Sequence, residues 1–180
     1  MDGGTWVSSS MSYVRPTEGG HGDAWGAEAA ARGGRGTQRI VRAGEVPAPV
    51  EVAQLLGVGP GDAVVVRQRV MYLDEQPCEL TDTYYPMHVA GGTALAGTAK
   101  IRGGAMVLLA ELGYAPGRVQ EDVTARMPDE GERELLGMGD HEPVLCLHRV
   151  VLGEDERPVQ VDVITMPAGR QRLRYELRMG

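Results

Sequence analysis

Hydrophobic and polar positions follow the same order in two stretches of the chain. In each stretch a short apolar helical face ends at a glycine, Gly57 in the first and Gly137 in the second. A strand rich in β-branched residues, a polar turn and a returning strand then follow. The period of roughly 80 residues is typical of two fused helix–hairpin units rather than of a solenoid. The pattern therefore predicts two related halves whose hairpins pair into one sheet with a concave face between them.

The rest of the chain alternates between helical and extended periodicity. Hairpins and helices without a βαβ crossover pattern predict an α+β domain, an antiparallel sheet with flanking helices. Residues 1–22 are rich in Gly, Ser and Thr and predict a linker, so the domain is expected over 23–180. Outside the two hairpins, helices are expected over 23–32, with Asp23 as a possible N-cap, and over 103–112, and strands over 37–46, 119–127 and 170–178.

Charge and cysteine content exclude several classes of protein. The net charge of −7 argues against a broad nucleic-acid-binding face within this chain. Cys78 and Cys146 form no Cys-x-x-Cys pair, so two reduced, buried thiols are expected. No histidine spacing suits a metal, and no nucleotide-binding motif is present, so neither metal nor cofactor is expected. No apolar run approaches the ~20 residues of a membrane span, and we expect a cytoplasmic protein without membrane contact.

The first predicted hairpin carries the strongest candidate chemistry. Arg67 and Arg69 are two residues apart in a strand, so their side chains share a face. A turn at 74–76 would place Thr83 opposite Arg67 and Thr81 opposite Arg69, with Glu79 on the same side. Such a patch could hold an anionic, hydroxylated ligand. A solvated sheet face with ordinary Arg–Glu pairs is an equally open alternative.

The second hairpin offers a related but different set. By the symmetry of the repeat, Arg149, Gln160 and Asp162 would line the opposite wall of the same cleft. The Arg149–Asp162 pair could equally be a structural ion pair. Trp25, in the N-terminal helix, could stack on a ligand ring or simply pack in the core.

Taken in order, several motifs resemble the ligand-sensing UTRA domain of GntR-type transcription regulators of the HutC subfamily. The resemblance covers approximately Trp25 to Leu177, and no single piece of it is diagnostic. It is carried by 47–57 with Val66-Arg-Gln-Arg-Val70 and Thr83-Tyr-Tyr-Pro86, by 108–114 with 121–126, and by 135–137, 143–145, 149–150, Arg157-Pro-Val-Gln160 and 174–177.

The resemblance implies a chorismate-lyase-like fold with a cleft for a small effector, dimerisation, and coupling to a DNA-binding winged helix. It implies that Arg67 and Arg69 hold an anion. A ligand-contacting carboxylate of the family falls on Thr81 here, one pleat from Glu79, and an acidic position falls on Gln160. The family's Ser-Leu-Tyr is replaced by a run ending in Met106, which removes a hydroxyl and a ring from the expected pocket. These departures argue against an amino-sugar phosphate.

The beginning of the chain is similar to part of a winged-helix wing. Gly3-Gly-Thr-Trp-Val7 resembles the tip and last strand of such a wing, and the three helices that enter DNA are expected to lie outside this chain. The expected function is that of the effector-binding, homodimeric part of a bacterial repressor-type regulator, and not that of an enzyme. A chorismate-lyase-like enzyme, or a dimerisation domain that has lost its ligand, are the alternatives.

Overall fold

The computed structural model describes residues 6–8, 24–31 and 33–176. In this part of the chain the helices are α1 (Ala24–Ala31), α2 (Val50–Leu56), α3 (Met87–Ala90), α4 (Ala105–Glu111) and α5 (Glu130–Leu136), with a 3-10 helix at Ala94–Ala96. The strands are β1 (Trp6–Ser8), β2 (Gly36–Pro47), β3 (Ala63–Leu73), β4 (Gln76–Pro86), β5 (Pro116–Arg126), β6 (Val144–Gly153), β7 (Pro158–Pro167) and β8 (Gln171–Leu173).

Six strands form one antiparallel sheet in the order β2-β3-β4-β7-β6-β5. The two hairpins, β3–β4 and β6–β7, meet where β4 pairs with β7. The prediction that the hairpins of the repeat join into one sheet is therefore confirmed, as is the α+β fold class. Strands β1 and β8 pair in parallel as a separate two-stranded sheet.

Each half of the repeat packs its helix across the centre of the sheet. Helix α2 lies mainly against β7, and α5 lies mainly against β4, so each helix covers a strand of the other half. Leu56 of α2 packs with Val161, and Leu136 of α5 packs with Leu80. Burial of these apolar side chains stabilises the two halves as one unit.

Short local signals fix the ends of the repeated elements. Gly57 and Gly137 follow α2 and α5 with φ of 69° and 57°, a left-handed conformation that glycine adopts without a Cβ penalty. The first hairpin turns through Asp74 and Glu75, whose φ values of 48° and 70° suit the tight turn of a twisted hairpin. The turn thus sets the register that brings the polar residues of β3 and β4 together.

The C-terminal strand is shorter than predicted. An extended run over 170–178 was expected, but β8 ends at Leu173, and Tyr175 is 55% exposed. Among the described residues, β8 does not join the six-stranded sheet, and it pairs with β1 from Gln171 to Leu173. Within the part of the chain that the structure describes, 174–176 pair with no strand, so the alternating sequence there lacks the hydrogen bonds of a sheet.

Other expectations fall partly outside the described residues. Of the predicted linker 1–22, only Trp6–Ser8 is described, as β1, and Asp23 and Leu177 lie outside the described residues. Both cysteines are free and buried, as predicted. Within the described residues, every helix is too short or too polar to span a bilayer.

Candidate functional site

A continuous row of polar side chains crosses the face of the sheet opposite α2 and α5. The register places Arg67 beside Thr83, Thr83 beside Asp162, Asp162 beside Arg149, and Arg149 beside Glu121. These five residues come from five neighbouring strands. Buried charged groups are rare unless they are paired, so this row is a candidate site rather than ordinary core.

The row lies between two apolar regions of the same face. On one side Val65, Tyr85 and Val151 pack beneath Leu109 of α4. On the other side Leu147, Ile164 and Met166 form a second cluster. The row and its polar neighbours are called the polar belt below, and it comprises Arg67, Arg69, Glu79, Thr81, Thr83, Glu121, Arg149, Gln160 and Asp162.

Asp162 is the centre of a hydrogen-bonded chain within the belt. The Arg69 Nη2 donates to Thr83 Oγ1 at 2.8 Å, and the Thr83 hydroxyl donates to Asp162 Oδ1 at 2.7 Å. From the other side, Gln160 Nε2 donates to both carboxylate oxygens of Asp162, at 3.0 and 2.9 Å. The chain therefore links both halves of the repeat through one carboxylate that is 3% exposed.

Arg149 is held by two carboxylates. Its Nε donates to Glu121 Oε1 at 2.6 Å, and its Nη1 lies 3.7 Å from Asp162 Oδ2. Burial by itself lowers the pKa of this guanidinium, but Asp162 and Glu121 outweigh burial and raise it. The ion pair predicted between Arg149 and Asp162 is thus present, with Glu121 as a second partner.

Arg67 binds the protein's own backbone. Its guanidinium donates to the carbonyls of Ala94, Leu95, Gly97 and Ala99, the last at 3.1 Å. Burial lowers the pKa of this guanidinium. Arg67 therefore fastens the segment 94–99, which follows α3, over the edge of the belt.

Glu79 is a carboxyl group in a poorly solvated position. It accepts a hydrogen bond from the Thr81 hydroxyl. Burial raises the pKa of Glu79, although Thr81, Arg149 and Arg69 each act to lower it. The Glu79 carboxyl group therefore keeps its proton to a higher pH than an exposed glutamate does.

The eight residues predicted on the two hairpins lie on one face, and the predicted pairing of Arg67 with Thr83 and of Arg69 with Thr81 is confirmed. One expectation was wrong. Arg149, Gln160 and Asp162 lie on the same face as the polar residues of the first hairpin, not on an opposite wall, because β4 pairs directly with β7 and β7 pairs with β6.

Trp25 and Met106 lie outside the belt. Trp25 packs with Met71 and Cys78, and its indole Nε1 donates to the Tyr72 carbonyl at 3.0 Å. This placement favours the packing alternative, and stacking on a ligand stays a prediction. Met106 of α4 is half-buried against the apolar cluster beside the belt.

Two features of the belt were missed in the sequence. Glu121 lies in β5, and only the pairing of β5 with β6 brings it to Arg149. The carbonyl groups of 94–99 carry no side-chain signal at all. The even spacing of Val119, Glu121 and Val123 could have placed Glu121 on the inner face, but not beside a particular arginine.

A cavity of about 260 Å³ lies on the opposite face of the sheet, beside the start of α2. Its polar lining includes Arg42, Gln68 and Tyr84, and its apolar lining includes Val66 and two prolines. It contains none of the predicted site residues. Among the described residues, no group of three or more His, Cys, Asp and Glu side chains could hold a metal ion.

The fold is an α+β domain with one six-stranded antiparallel sheet and a buried polar belt, and comparison with known proteins identifies its family. The UTRA domain profile matches residues 31–172. The chain therefore belongs to the UTRA domain family, as the resemblance in its sequence predicted.

Among known proteins, the chain is 33% identical over 127 residues to an HTH-type transcriptional regulator of Streptomyces coelicolor, covering 69% of this chain and 46% of that one. It is 27% identical over 118 residues to the HTH-type transcriptional regulator GgaR of Escherichia coli, covering 66% and 46%. The chain thus spans about half the length of the curated relatives it matches.

A similar fold occurs in the effector domain of PhnF from Mycobacterium smegmatis. The TM-score is 0.73 at 22% identity, with 89% of this chain and 97% of that one covered. This likeness confirms the predicted fold class.

Proposed function

We propose that the chain senses a small anionic effector on the polar belt and transmits its binding to the rest of a HutC-type repressor. The observation that supports this most is the belt itself, a buried polar row that crosses both halves of the repeat. A ligand there contacts both hairpins at once. It can therefore favour one arrangement of the regulator over another, provided that it binds the two with different affinity.

Thermal unfolding of the chain with a panel of small carboxylates, sugar phosphates and amino acids tests this proposal. A ligand that binds the folded chain raises its Tm. Arg69→Ala should abolish that rise, and the exposed Arg118→Ala should keep it. An equal rise in wild type and Arg69→Ala would remove Arg69, and with it the belt, from the effector site.

We also propose that the chain forms a homodimer. Strand β5 is an outer strand of the six-stranded sheet, and Val123 on it is 43% exposed. Met127 and Leu135, close by in sequence, are 53% and 45% exposed. Light scattering after size exclusion should give twice the mass of one chain for the unmodified protein. The Val123→Lys variant should give the mass of a single chain. A monomeric wild type would contradict the proposal.

The DNA-binding part of the proposal rests on the relatives, which are named HTH-type transcriptional regulators. We propose that a winged helix outside this chain binds the operator in the cytoplasm. In a mobility-shift assay, a regulator that carries both parts should bind its own upstream DNA and respond to effector, and this chain alone should not bind. Specific binding by the chain alone would contradict this division of roles.

An enzyme on the same fold is the second candidate, because Glu79 combines a raised pKa with nearby arginines, as a general acid would. The relatives are transcription regulators, which favours binding over catalysis. Incubation with chorismate separates the two functions. Turnover that Glu79→Gln abolishes would establish the enzyme and displace the sensor.

A further inference from the structure

Two polar atoms of the belt have no hydrogen-bond partner among the described residues: Nε of Arg69 and Oε1 of Gln160. Gln160 is 3% exposed. Buried polar atoms are nearly always paired, and leaving one unpaired costs about 1–3 kcal/mol. Two such atoms in one belt indicate groups that are held ready for a ligand.

The orientation of each atom is fixed by the rest of its side chain. Gln160 must turn its NH₂ toward Asp162, because an ionised carboxylate accepts hydrogen bonds and cannot donate them. Its Oε1 is thereby left as an acceptor. Arg69 is held at Nη2 by the Thr83 hydroxyl, which leaves Nε as a donor.

The charges of the belt leave one cation for a ligand. Arg67 is occupied by four backbone carbonyls, and Arg149 by Glu121 and Asp162. Arg69 donates to a neutral hydroxyl instead, and among the described residues it lies in no salt bridge. One guanidinium without a paired carboxylate favours a single negative charge over the two of a phosphate ester.

The two atoms are close enough for one small molecule. Arg69 lies on β3 and is level with Ile164 of β7, two strand spacings across the sheet. Gln160 lies four residues along β7 from Ile164, so the backbones of Arg69 and Gln160 are about 16 Å apart. Their side chains are drawn toward each other by the hydrogen-bonded chain through Thr83 and Asp162. These three hydrogen bonds, of 2.8, 2.7 and 3.0 Å, keep Arg69 Nη2 within about 9 Å of Gln160 Nε2. A molecule of about four to six carbons that forms a hydrogen bond of about 2.9 Å at each end can span this separation.

We infer that the effector is a small monocarboxylate that also carries a hydroxyl or amino group. Its carboxylate accepts from Nε of Arg69, and its hydroxyl or amino group donates to Oε1 of Gln160. This inference rests on the proposed function and adds the chemical class of the ligand. It also assigns different tasks to the two arginines of β3, since Arg69 reads the ligand and Arg67 holds the 94–99 segment.

Calorimetry and thermal unfolding of the unmodified chain test the inference with matched compounds. The hydroxy or amino monocarboxylates are 4-hydroxybutyrate, L-threonate, D-gluconate and L-homoserine. The controls are hexanoate, which lacks a donor, sorbitol, which lacks the carboxylate, and glucose 6-phosphate, which carries the dianion. We expect at least one compound of the first group to bind ten or more times more tightly than every control.

Variants then assign the contacts. Gln160→Met removes the acceptor at similar volume and should weaken the bound compound about tenfold, whereas the exposed Gln120→Met should leave its affinity unchanged. If Gln160→Met does not fold, the comparison with hexanoate in the unmodified chain still decides whether the donor is needed.

The failures are distinguishable. If a control binds as tightly as the hydroxy and amino acids, or if only a control binds, the inference is overturned and the sensor function stands. If glucose 6-phosphate binds and Arg67→Met abolishes its binding, the assignment of Arg69 as the one available cation of the belt is wrong. If no compound binds, both the inference and the proposed function fall.

Discussion

The two halves of this domain share a backbone plan but use their buried charges differently. In the first half, Arg67 and Arg69 donate to neutral oxygens of carbonyls and a hydroxyl. In the second half, Arg149 contacts the carboxylates of Glu121 and Asp162. Each half therefore places arginine side chains on the same face of the sheet, but the partners of these arginines differ between the two halves.

The comparison shows why a repeated fold can make an asymmetric site. A cation that is satisfied by carboxylates inside the protein contributes structure, because another anion adds little to it. A cation that faces neutral acceptors keeps its charge available to a ligand. On this basis the arginine of the first half that is available, Arg69, binds the ligand, and the ion pairs of the second half stabilise the fold. The following changes test that division.

The largest effect is expected at Asp162. Asp162→Asn removes the charge that Arg149 shares with Glu121 and weakens the chain from Arg69 to Gln160. Because the buried Arg149 guanidinium then loses one of its carboxylate partners, the free energy of unfolding should fall by about 3 kcal/mol or more. Urea unfolding measures it, with the exposed Asp140→Asn as control. A loss of unfolding free energy no larger than that of the control would show that the ion pairs of the second half do not stabilise the fold.

The buried leucines of α2 and α5 should contribute about equally to the free energy of unfolding. Leu56 of α2 and Leu136 of α5 are 4% and 0% exposed, and each packs on a strand of the other half. Either leucine changed to alanine should cost about 2–5 kcal/mol in urea unfolding. Leu135→Ala, at a position that is 45% exposed, should cost much less. A large loss at only one buried leucine would break the symmetry of the packing.

The N-terminal ends of α2 and α5 should contribute differently to the free energy of unfolding. Helix α5 begins with a capping box in which Asp129 accepts from the Glu132 amide and Glu132 accepts from the Asp129 amide, whereas α2 begins after Pro49 with no side-chain cap. Asp129→Ala should therefore cost about 1 kcal/mol. Pro49→Ala, the matched change, should lower the unfolding free energy less. Equal losses in chemical denaturation would mean that the cap adds nothing to α5.

The smallest effect is expected at Glu79 and depends on pH. Because burial raises its pKa above the usual 4.5, the folded chain holds this proton more tightly than the unfolded chain does. The stability that this proton supplies is present at low pH and is lost as pH rises from about 4.5 through the raised pKa. Glu79→Gln should remove that loss, so the variant gains stability over wild type as pH increases.

Unfolding curves from pH 4 to pH 8 measure this difference, and the exposed Glu111→Gln serves as control. A difference between Glu79→Gln and wild type that stays constant across this range would show that Glu79 has the same pKa in the folded and unfolded chains, which would contradict the prediction. The direction of the change also separates the two halves. Loss of the Glu79 carboxylate in the first half should stabilise the chain as pH rises, whereas loss of the Asp162 carboxylate in the second half should destabilise it.

Much of the fold could be predicted from the chain alone, because its signals are local. Glycines after two short helices, β-branched strands and the polar turn at Asp74 and Glu75 predicted both hairpins and the register of Arg67 with Thr83. The end of β8 at Leu173 could not be predicted, because the alternation of Leu173 and Tyr175 does not show which strand pairs with them, and the described partner of β8 is the distant strand β1.

The sequence by itself determined which residues share a strand face, since strand geometry alternates side chains in a fixed way. Only the tertiary structure decided which of them touch. The pairing of β4 with β7 set Asp162 beside Thr83, the pairing of β5 with β6 brought Glu121 to Arg149, and the path of 94–99 occupied Arg67. Such partners are distant in sequence, and the contacts that select them arise only when the whole sheet has formed.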